Sequence, residues 1–156
     1  METRFNLNGK DVVCHQDPSV RLLDALRGEF GLTGPKCGCG EGECGACAVL
    51  LDGKLVTSCL VPVGRCRGAK IVTIEGFAGT PRHKALSDAF DACGAVQCGF
   101  CTPGMLLAAE ALLSRTPHPT PEQIREGLSG NLCRCTGYAM IIDAVRMAAE
   151  KGAGLW

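Results

Sequence analysis

The sequence predicts an α+β chain in two parts: strands with one helix first, then helices alone. Three observations carry this expectation. The turn dipeptides Asn8-Gly9 and Asp52-Gly53 each sit between β-prone runs, a strong short-range hairpin signal. The β-branched run "KIVTIE", residues 70–75, adds a further strand. Beyond "GFAGTP", residues 76–81, apolar residues recur almost entirely at helical spacing. That stretch reads as a linker, so the expected domains are 1–76 and 77–156.

The elements follow in order. "TRFNLNGKDVVC" is a hairpin turning at Asn8-Gly9. "SVRLLDALRGEFG" reads as a helix with Ser19 as N-cap, an apolar stripe of Val20, Leu23, Leu26 and Phe30, and Gly31 as its stop. "AVLLDGKLVTS" is the second hairpin. In the second part, "RHKALSDAFDAC" buries Ala85, Leu86, Ala89, Phe90 and Cys93 as a helix. "GMLLAAEALLSR" follows Pro103 as another helix. "TPEQIREGL" opens with Thr120 as cap, Pro121 at the first helical position and Gln123 completing a capping box. "YAMIIDAVRMAAEK" is the last helix. Four short helices make a small bundle.

Composition narrows the function. Lys plus Arg equals Asp plus Glu at 16 each, so no basic surface calls for a nucleic-acid or anionic-membrane partner. Five Phe, one Tyr and one Trp make no base-stacking platform. No apolar run approaches the roughly 20 residues of a membrane span. "METRFNLNGK" has no apolar h-region, and the cytoplasm is the expected location. Twelve cysteines in such a chain read as metal ligands before disulfides.

The densest stretch is "KCGCGEGECGACAVLL", Lys36 to Leu51. Cys39, Cys44 and Cys47 are spaced C-x4-C-x2-C, and Cys59 follows after eleven residues. This is the spacing of a plant-type [2Fe–2S] site. Three thiolates from one loop, with a fourth from beyond the next hairpin, can wrap a flat anionic cluster. Gly38, Gly40, Gly42 and Gly45 let backbone N–H groups approach the sulfurs. The same loop contains a G-x-G-x-x-G pattern, Gly40 to Gly45. A dinucleotide site needs a helix next, and "AVLL" reads as a strand. A zinc site normally uses paired C-x2-C hooks, which this loop lacks.

A second set is Cys98 and Cys101 in "QCGFCTPG", with Cys133 and Cys135 in "NLCRCTGY". Each pair puts two sulfurs on one side of a turn or extended segment. The helices between them bring the pairs to one end of the bundle. Pro103 and Thr136-Gly137 read as helix starts whose positive ends face an anion. By spacing alone, zinc remains a rival to iron–sulfur here. Cys14, Cys66 and Cys93 read as buried or incidental thiols. Cys37 lies outside the register. His15, His83 and His118 lie outside both sets.

With both sets in view, the chain resembles the iron–sulfur subunit of the molybdenum hydroxylases: the xanthine oxidase, aldehyde oxidoreductase and carbon monoxide dehydrogenase relatives. "GCGEGECGAC", "SC" at 58–59, "VQCGFCTPGM" and "GNLCRCTGY" carry the resemblance, which spans nearly the whole chain. It implies a β-grasp ferredoxin domain followed by a four-helix domain, each with one [2Fe–2S] cluster. It implies a large partner holding a molybdenum–pterin cofactor and a medium partner holding FAD, in a heterotrimer or a dimer of heterotrimers. Electrons would pass from molybdenum to the helical-domain cluster, then to the plant-type cluster, then to flavin. Gln97 and Cys135 match positions that approach the pterin. No catalytic residue is expected on this chain. Cys37 departs from the family's pattern. Two other readings are a free two-cluster carrier, which would be monomeric, and a zinc-stapled interaction module, which would be colourless.

Overall fold

A computed structural model describes residues 2–156. Asn8 and Gly9 both take positive φ, 52° and 83°, as a two-residue type I′ hairpin turn requires. They join β1 (Thr3–Leu7) to β2 (Lys10–Cys14), with Leu7 opposite Lys10. Asp52 and Gly53 do the same, at 50° and 78°, between β3 (Ala48–Leu51) and β4 (Lys54–Thr57). The run at 70–75 enters the sheet only as β5 (Lys70–Val72). The strand order is β2-β1-β5-β3-β4. β1 and β5 are parallel, and the other neighbours are antiparallel. A parallel pair needs a long crossover, and that crossover contains α1 and the cysteine-rich loop.

Helix α1 (Leu22–Gly28) starts later than Ser19. Arg21 occupies the N-cap without a side-chain cap bond. The Ser19 hydroxyl donates instead to the Asp17 carboxylate at 2.6 Å, because a short polar side chain can satisfy a turn as well as a helix end. Gly31 is left-handed at φ 65°, but the helix has already ended at Gly28. The strand expected at 70–75 is also shorter. Strand β5 stops where the Asn8 side chain takes over pairing: its carbonyl accepts the Thr73 N–H at 2.9 Å, and its amide donates to the Thr73 hydroxyl at 3.0 Å. Residues Ile74–Phe77 then form a turn of helix, α2. Phe77 is buried in the helical core, whereas Ala78 and Gly79 after it are exposed.

The second half holds α3 (Pro81–Ala92), α4 (Thr102–Leu113), α5 (Pro121–Gly127) and α6 (Ala139–Lys151). Thr120 and Gln123 make the expected capping box on α5. On α3, Leu86, Ala89 and Phe90 are buried, whereas Ala85 and Cys93 are only half-buried. Every residue of α4 from Gly104 to Leu113 is buried, the signature of a central helix covered on all sides.

The period of two along the strands explains how the halves join. Val49, Leu51, Val56 and Ile71 face α1 and the first core. Leu50, Leu55 and Val72 face the other way, into the core of α3, α4 and α6. The sheet is therefore sandwiched between α1 and the helical half. Within that half, Glu110 of α4 is 7% exposed and fully engaged. It accepts from Arg82 at 3.0 Å, from the Ser114 hydroxyl at 3.1 Å and from the Trp156 indole at 2.7 Å. This draws the C-terminal residues onto the helices. No helix among the described residues is long and apolar enough to cross a membrane.

Candidate metal centres

Three cysteines of the first set sit between α1 and β3, and Cys59 follows β4. The Lys36 N–H donates to the Ala46 carbonyl at 2.9 Å, closing the loop at its base. Inside it, Gly40, Gly42 and Gly45 take φ of 71°, 77° and 71°. Those values turn backbone N–H groups inward at little steric cost only for glycine. The Glu41 and Glu43 N–H groups both donate to Cys39 Sγ at 3.3 Å, and the Cys39 N–H donates to Cys44 Sγ at 3.4 Å. Donors aimed at sulfur stabilise a thiolate. The Glu41, Glu43 and Cys44 contacts bring the Cys39 thiol down to about 7.

Cys47 and Cys59 come together through the β3–β4 hairpin. Ala48 pairs with Thr57, so the residues just outside that rung meet. The Ser58 hydroxyl donates to the Cys47 carbonyl at 2.7 Å and locks the junction. Both thiols are buried and pack with Leu23 of α1. Burial, then the neighbouring Cys47, pushes the Cys59 thiol up to about 11. Cys39 thus lies against Cys44, and Cys47 packs with Cys59.

In the second set, Cys98 and Cys135 lie with their sulfurs 3.6 Å apart, and Cys101 and Cys133 both pack against the helical core. Cys101 is the N-cap of α4. Cys133 is held by two contacts, and a third bond braces them. Its N–H donates to the Tyr138 hydroxyl at 2.9 Å, the Thr136 hydroxyl donates to its sulfur at 3.1 Å, and the Tyr138 N–H donates to that same hydroxyl at 3.3 Å. These bonds keep 133–138 as a turn, with Tyr138 left-handed at φ 71°. Helix α6 consequently begins at Ala139, not at Thr136-Gly137. Burial opposes ionisation of Cys133, but the Thr136 hydroxyl and nearby N–H groups prevail and bring it down to about 7. Burial and the adjacent Cys133 push Cys101 up to about 12.

The remaining cysteines behave differently. Cys14 and Cys66 are fully buried in the first core. Cys14 donates its thiol proton to Glu29 at 3.2 Å. Burial, then the nearby Cys14, raises Cys66 to about 11. Cys93 is half-buried and Cys37 is exposed. His15 and His118 are exposed, and His83 stacks edge-on against Phe77. Gln97 is exposed beside Cys98. Its amide makes no hydrogen bond among the described residues, so it does not cap the preceding helix. Among those residues, no group of three or more His, Cys, Asp or Glu side chains converges on a single ion.

Spacing alone did not point to Thr136, Tyr138 or Asn131. Each reaches its partner through a side-chain contact in a turn, and no periodicity marks such a contact. Arg21 was also missed. Its guanidinium lies beside Gly40, is bonded to Asp24 at 2.7 Å and feels Cys37 and Cys59.

Residues 5–65 match the family model of the 2Fe-2S iron-sulfur cluster binding domain, and residues 73–146 match that of the [2Fe-2S] binding domain. The chain is 51% identical over 147 residues to the nicotinate dehydrogenase small FeS subunit of Eubacterium barkeri, covering 94% of each chain. It is 46% identical over 142 residues to the xanthine dehydrogenase iron-sulfur-binding subunit of Escherichia coli O157:H7, covering 89% of this chain and 88% of that one. Among solved structures it superposes on quinoline 2-oxidoreductase from Pseudomonas putida 86 with TM-score 0.91 and 45% identity, covering 96% of this chain and 94% of that chain. Aldehyde oxidoreductase from Desulfovibrio gigas also matches, with TM-score 0.91 and 40% identity, and there this chain spans 18% of a longer one. With both [2Fe–2S]-binding domains present and relatives matched along nearly their full length, the chain belongs to the iron–sulfur subunits of the molybdenum hydroxylases.

Proposed function

We propose that Cys39, Cys44, Cys47 and Cys59 hold one [2Fe–2S] cluster and that Cys98, Cys101, Cys133 and Cys135 hold the second. The observation that carries this is that each set gathers its sulfurs side by side, Cys39 with Cys44, Cys47 with Cys59 and Cys98 with Cys135. A dinuclear cluster takes two thiolates on each iron, so adjacent pairs suit it, whereas one tetrahedral ion needs four sulfurs round a point. The N–H groups aimed at Cys39 and Cys44 and the Thr136 hydroxyl aimed at Cys133 supply the donors that an anionic cluster needs. A bound [2Fe–2S] cluster supplies a one-electron couple.

On this reading residues 1–76 are a β-grasp ferredoxin domain and residues 77–156 a four-helix domain. The mixed sheet crossed by α1 supports the first assignment, and the core of α3, α4, α5 and α6 supports the second. The chain transfers electrons within a larger enzyme and carries no substrate chemistry. Its partners are a large chain holding molybdenum–pterin and a medium chain holding FAD, in a heterotrimer or a dimer of heterotrimers in the cytoplasm. Val96, Phe100 and Leu132 are 39%, 46% and 55% exposed, and all three flank the second cysteine set. A free carrier has no reason to present such residues together. Docking on the large partner covers them, and Gln97 and Cys135 then face the pterin edge.

Purification of the native complex tests the reading. Four irons and four sulfides per copy of this chain are expected, with molybdenum and flavin on co-eluting larger chains. Zinc in place of iron, or a monomer without partners, refutes it.

A further inference from the structure

Arg21 reaches the first cysteine set by two routes. Its backbone pairs with Pro62 as an antiparallel bridge. On either side of it, the Leu22 N–H donates to the Val61 carbonyl at 2.7 Å, and the Val63 N–H donates to the Val20 carbonyl at 2.9 Å. Only Leu60 separates Cys59 from residues 61–63, so this pairing fixes the Arg21 backbone to the chain that leaves Cys59. The side chain turns to the loop. Its Nε and Nη2 donate to the two Asp24 carboxylate oxygens at 2.7 and 3.0 Å, a two-pronged contact that fixes the guanidinium plane. The remaining nitrogen, Nη1, lies against Gly40, where a Cβ would stand 3.3 Å from it. Gly40 directly follows Cys39.

Among the described residues no acceptor meets Nη1, and the other cations near the loop are engaged differently. Arg27 donates to the Thr33 and Pro35 carbonyls at 3.1 and 2.9 Å, and Lys36 donates to the Thr33 carbonyl at 3.0 Å. Both brace the entry of the loop. Glu41 and Glu43 are exposed carboxylates and oppose any further negative charge there. The Arg21–Asp24 pair is neutral as a whole, but the end turned to Gly40 carries no carboxylate. Asp24 first, and Cys37 and Cys59 behind it, make the guanidinium hold its proton more firmly. We propose that Arg21 sets the reduction potential of the first site: its guanidinium, clamped by Asp24 with the open end on the cysteine loop, favours the reduced form. The inference rests on the ligand assignment above. Reduction adds one negative charge to an already anionic cluster, and net charge is one of the levers on such potentials. One electron is taken up, no bond forms or breaks, and no proton moves, because an arginine stays charged throughout. The side chain is 44% exposed, so water and salt screen its field. The expected effect is about two- to fivefold in the reduction equilibrium, or about 20–40 mV at 59 mV per tenfold change.

Arg21→Gln and Arg21→Lys in the assembled complex test this. Iron and sulfide are measured first, and both variants are expected to keep their full content. Each is then titrated with dithionite, which supplies the electron, and the two sites are followed separately by electron paramagnetic resonance. Arg21→Gln removes the charge and is expected to lower the first potential by the amount above while leaving the second unchanged. Arg21→Lys keeps the charge and loses the two-pronged bond, so its first potential should lie closer to wild type than to Arg21→Gln. An unchanged first potential in Arg21→Gln overturns the proposal. So does an equal fall in both variants, because Arg21 would then brace the start of α1 and not act as a charge. Loss of iron from the first site overturns it as well, since the residue would then build the site and not tune it. If the wild-type chain itself lacks two distinct iron–sulfur signals, the ligand assignment fails and the proposal with it, an outcome distinguishable from the other three.

Discussion

Thr136→Val removes the hydroxyl that donates to Cys133 Sγ at 3.1 Å while keeping the side chain's shape. A donor aimed at a ligating sulfur stabilises the more negative, reduced state and raises the potential. A neutral hydrogen bond contributes a net 0.5–1.5 kcal/mol. For a one-electron couple 59 mV corresponds to 1.4 kcal/mol, so the second site should fall by about 20–60 mV. The first site should not move, because Cys39 and Cys44 take their donors from the backbone of their own loop. Thr136→Ser restores the hydroxyl and should restore the potential. A redox titration followed by electron paramagnetic resonance separates the two signals. An unchanged second potential, or an equal shift in both, refutes the claim that this hydroxyl acts on its own cluster. A fall of the same size in Thr136→Ser, which keeps the hydroxyl, points to altered packing of the turn and not to the hydrogen bond.

Three further outcomes are expected. Cys39→Ser or Cys133→Ser should each lose about half the iron and sulfide, whereas Cys37→Ser, Cys66→Ser and Cys93→Ser should lose none; full iron in Cys39→Ser would move the register to Cys37. Glu75 accepts the Gly34 N–H at 2.7 Å and the Thr73 hydroxyl at 2.6 Å; burial opposes its charge, but these bonds prevail and hold its carboxyl below the usual range. Its folded pKa therefore lies below its unfolded one, so its stabilisation is present above the ordinary carboxylate value of about 4.3 and is lost as pH falls through the folded value. Glu75→Gln should lower the melting temperature at neutral pH, by about 2–4 °C per kcal/mol lost, and the gap from wild type should shrink in acid; a gap independent of pH would be evidence against it. Trp156→Phe should cost about 1.5–3 kcal/mol, since the lost donor serves a buried carboxylate; thermal unfolding with no change in midpoint would show that the Glu110 contact contributes nothing.

Much of this structure was legible because its strongest signals are local. Asn8-Gly9 and Asp52-Gly53 demand left-handed backbone at two successive positions, and few other dipeptides satisfy that cheaply. Thr120-Pro121-Glu122-Gln123 specifies its helix start by side-chain chemistry within four residues. The two cysteine motifs were readable for the same reason, because their spacing is a property of the loops that carry them. What stayed hidden depends on distant partners. Ser19 looks like a helix cap until Asp17 takes its hydroxyl. Residues 74–77 look like strand and linker until the Asn8 side chain, more than sixty positions away in sequence, ends β5. Tyr138 looks like the first residue of a helix until its hydroxyl is claimed by the Cys133 N–H.

The way the two halves pack explains why the family covers such a chain with two adjoining domains and no tether. The sheet's second face is apolar at Leu50, Leu55 and Val72, and α4 covers it. Were the halves separable, that face would meet water. At roughly 25 cal/mol per Å² of apolar area, three such side chains cost several kcal/mol on separation. The same face-to-face packing brings the first turn of α4 against the Gly45 carbonyl and lays the 130–133 segment along the first cysteine loop. A sequence can carry two perfect cysteine motifs and still leave them too far apart to communicate. Here the burial that stabilises the fold also sets the distance between the two sites. It follows that substitutions at Leu50 or Val72, which bear on how the halves pack, should disturb communication between the sites before they disturb either site alone.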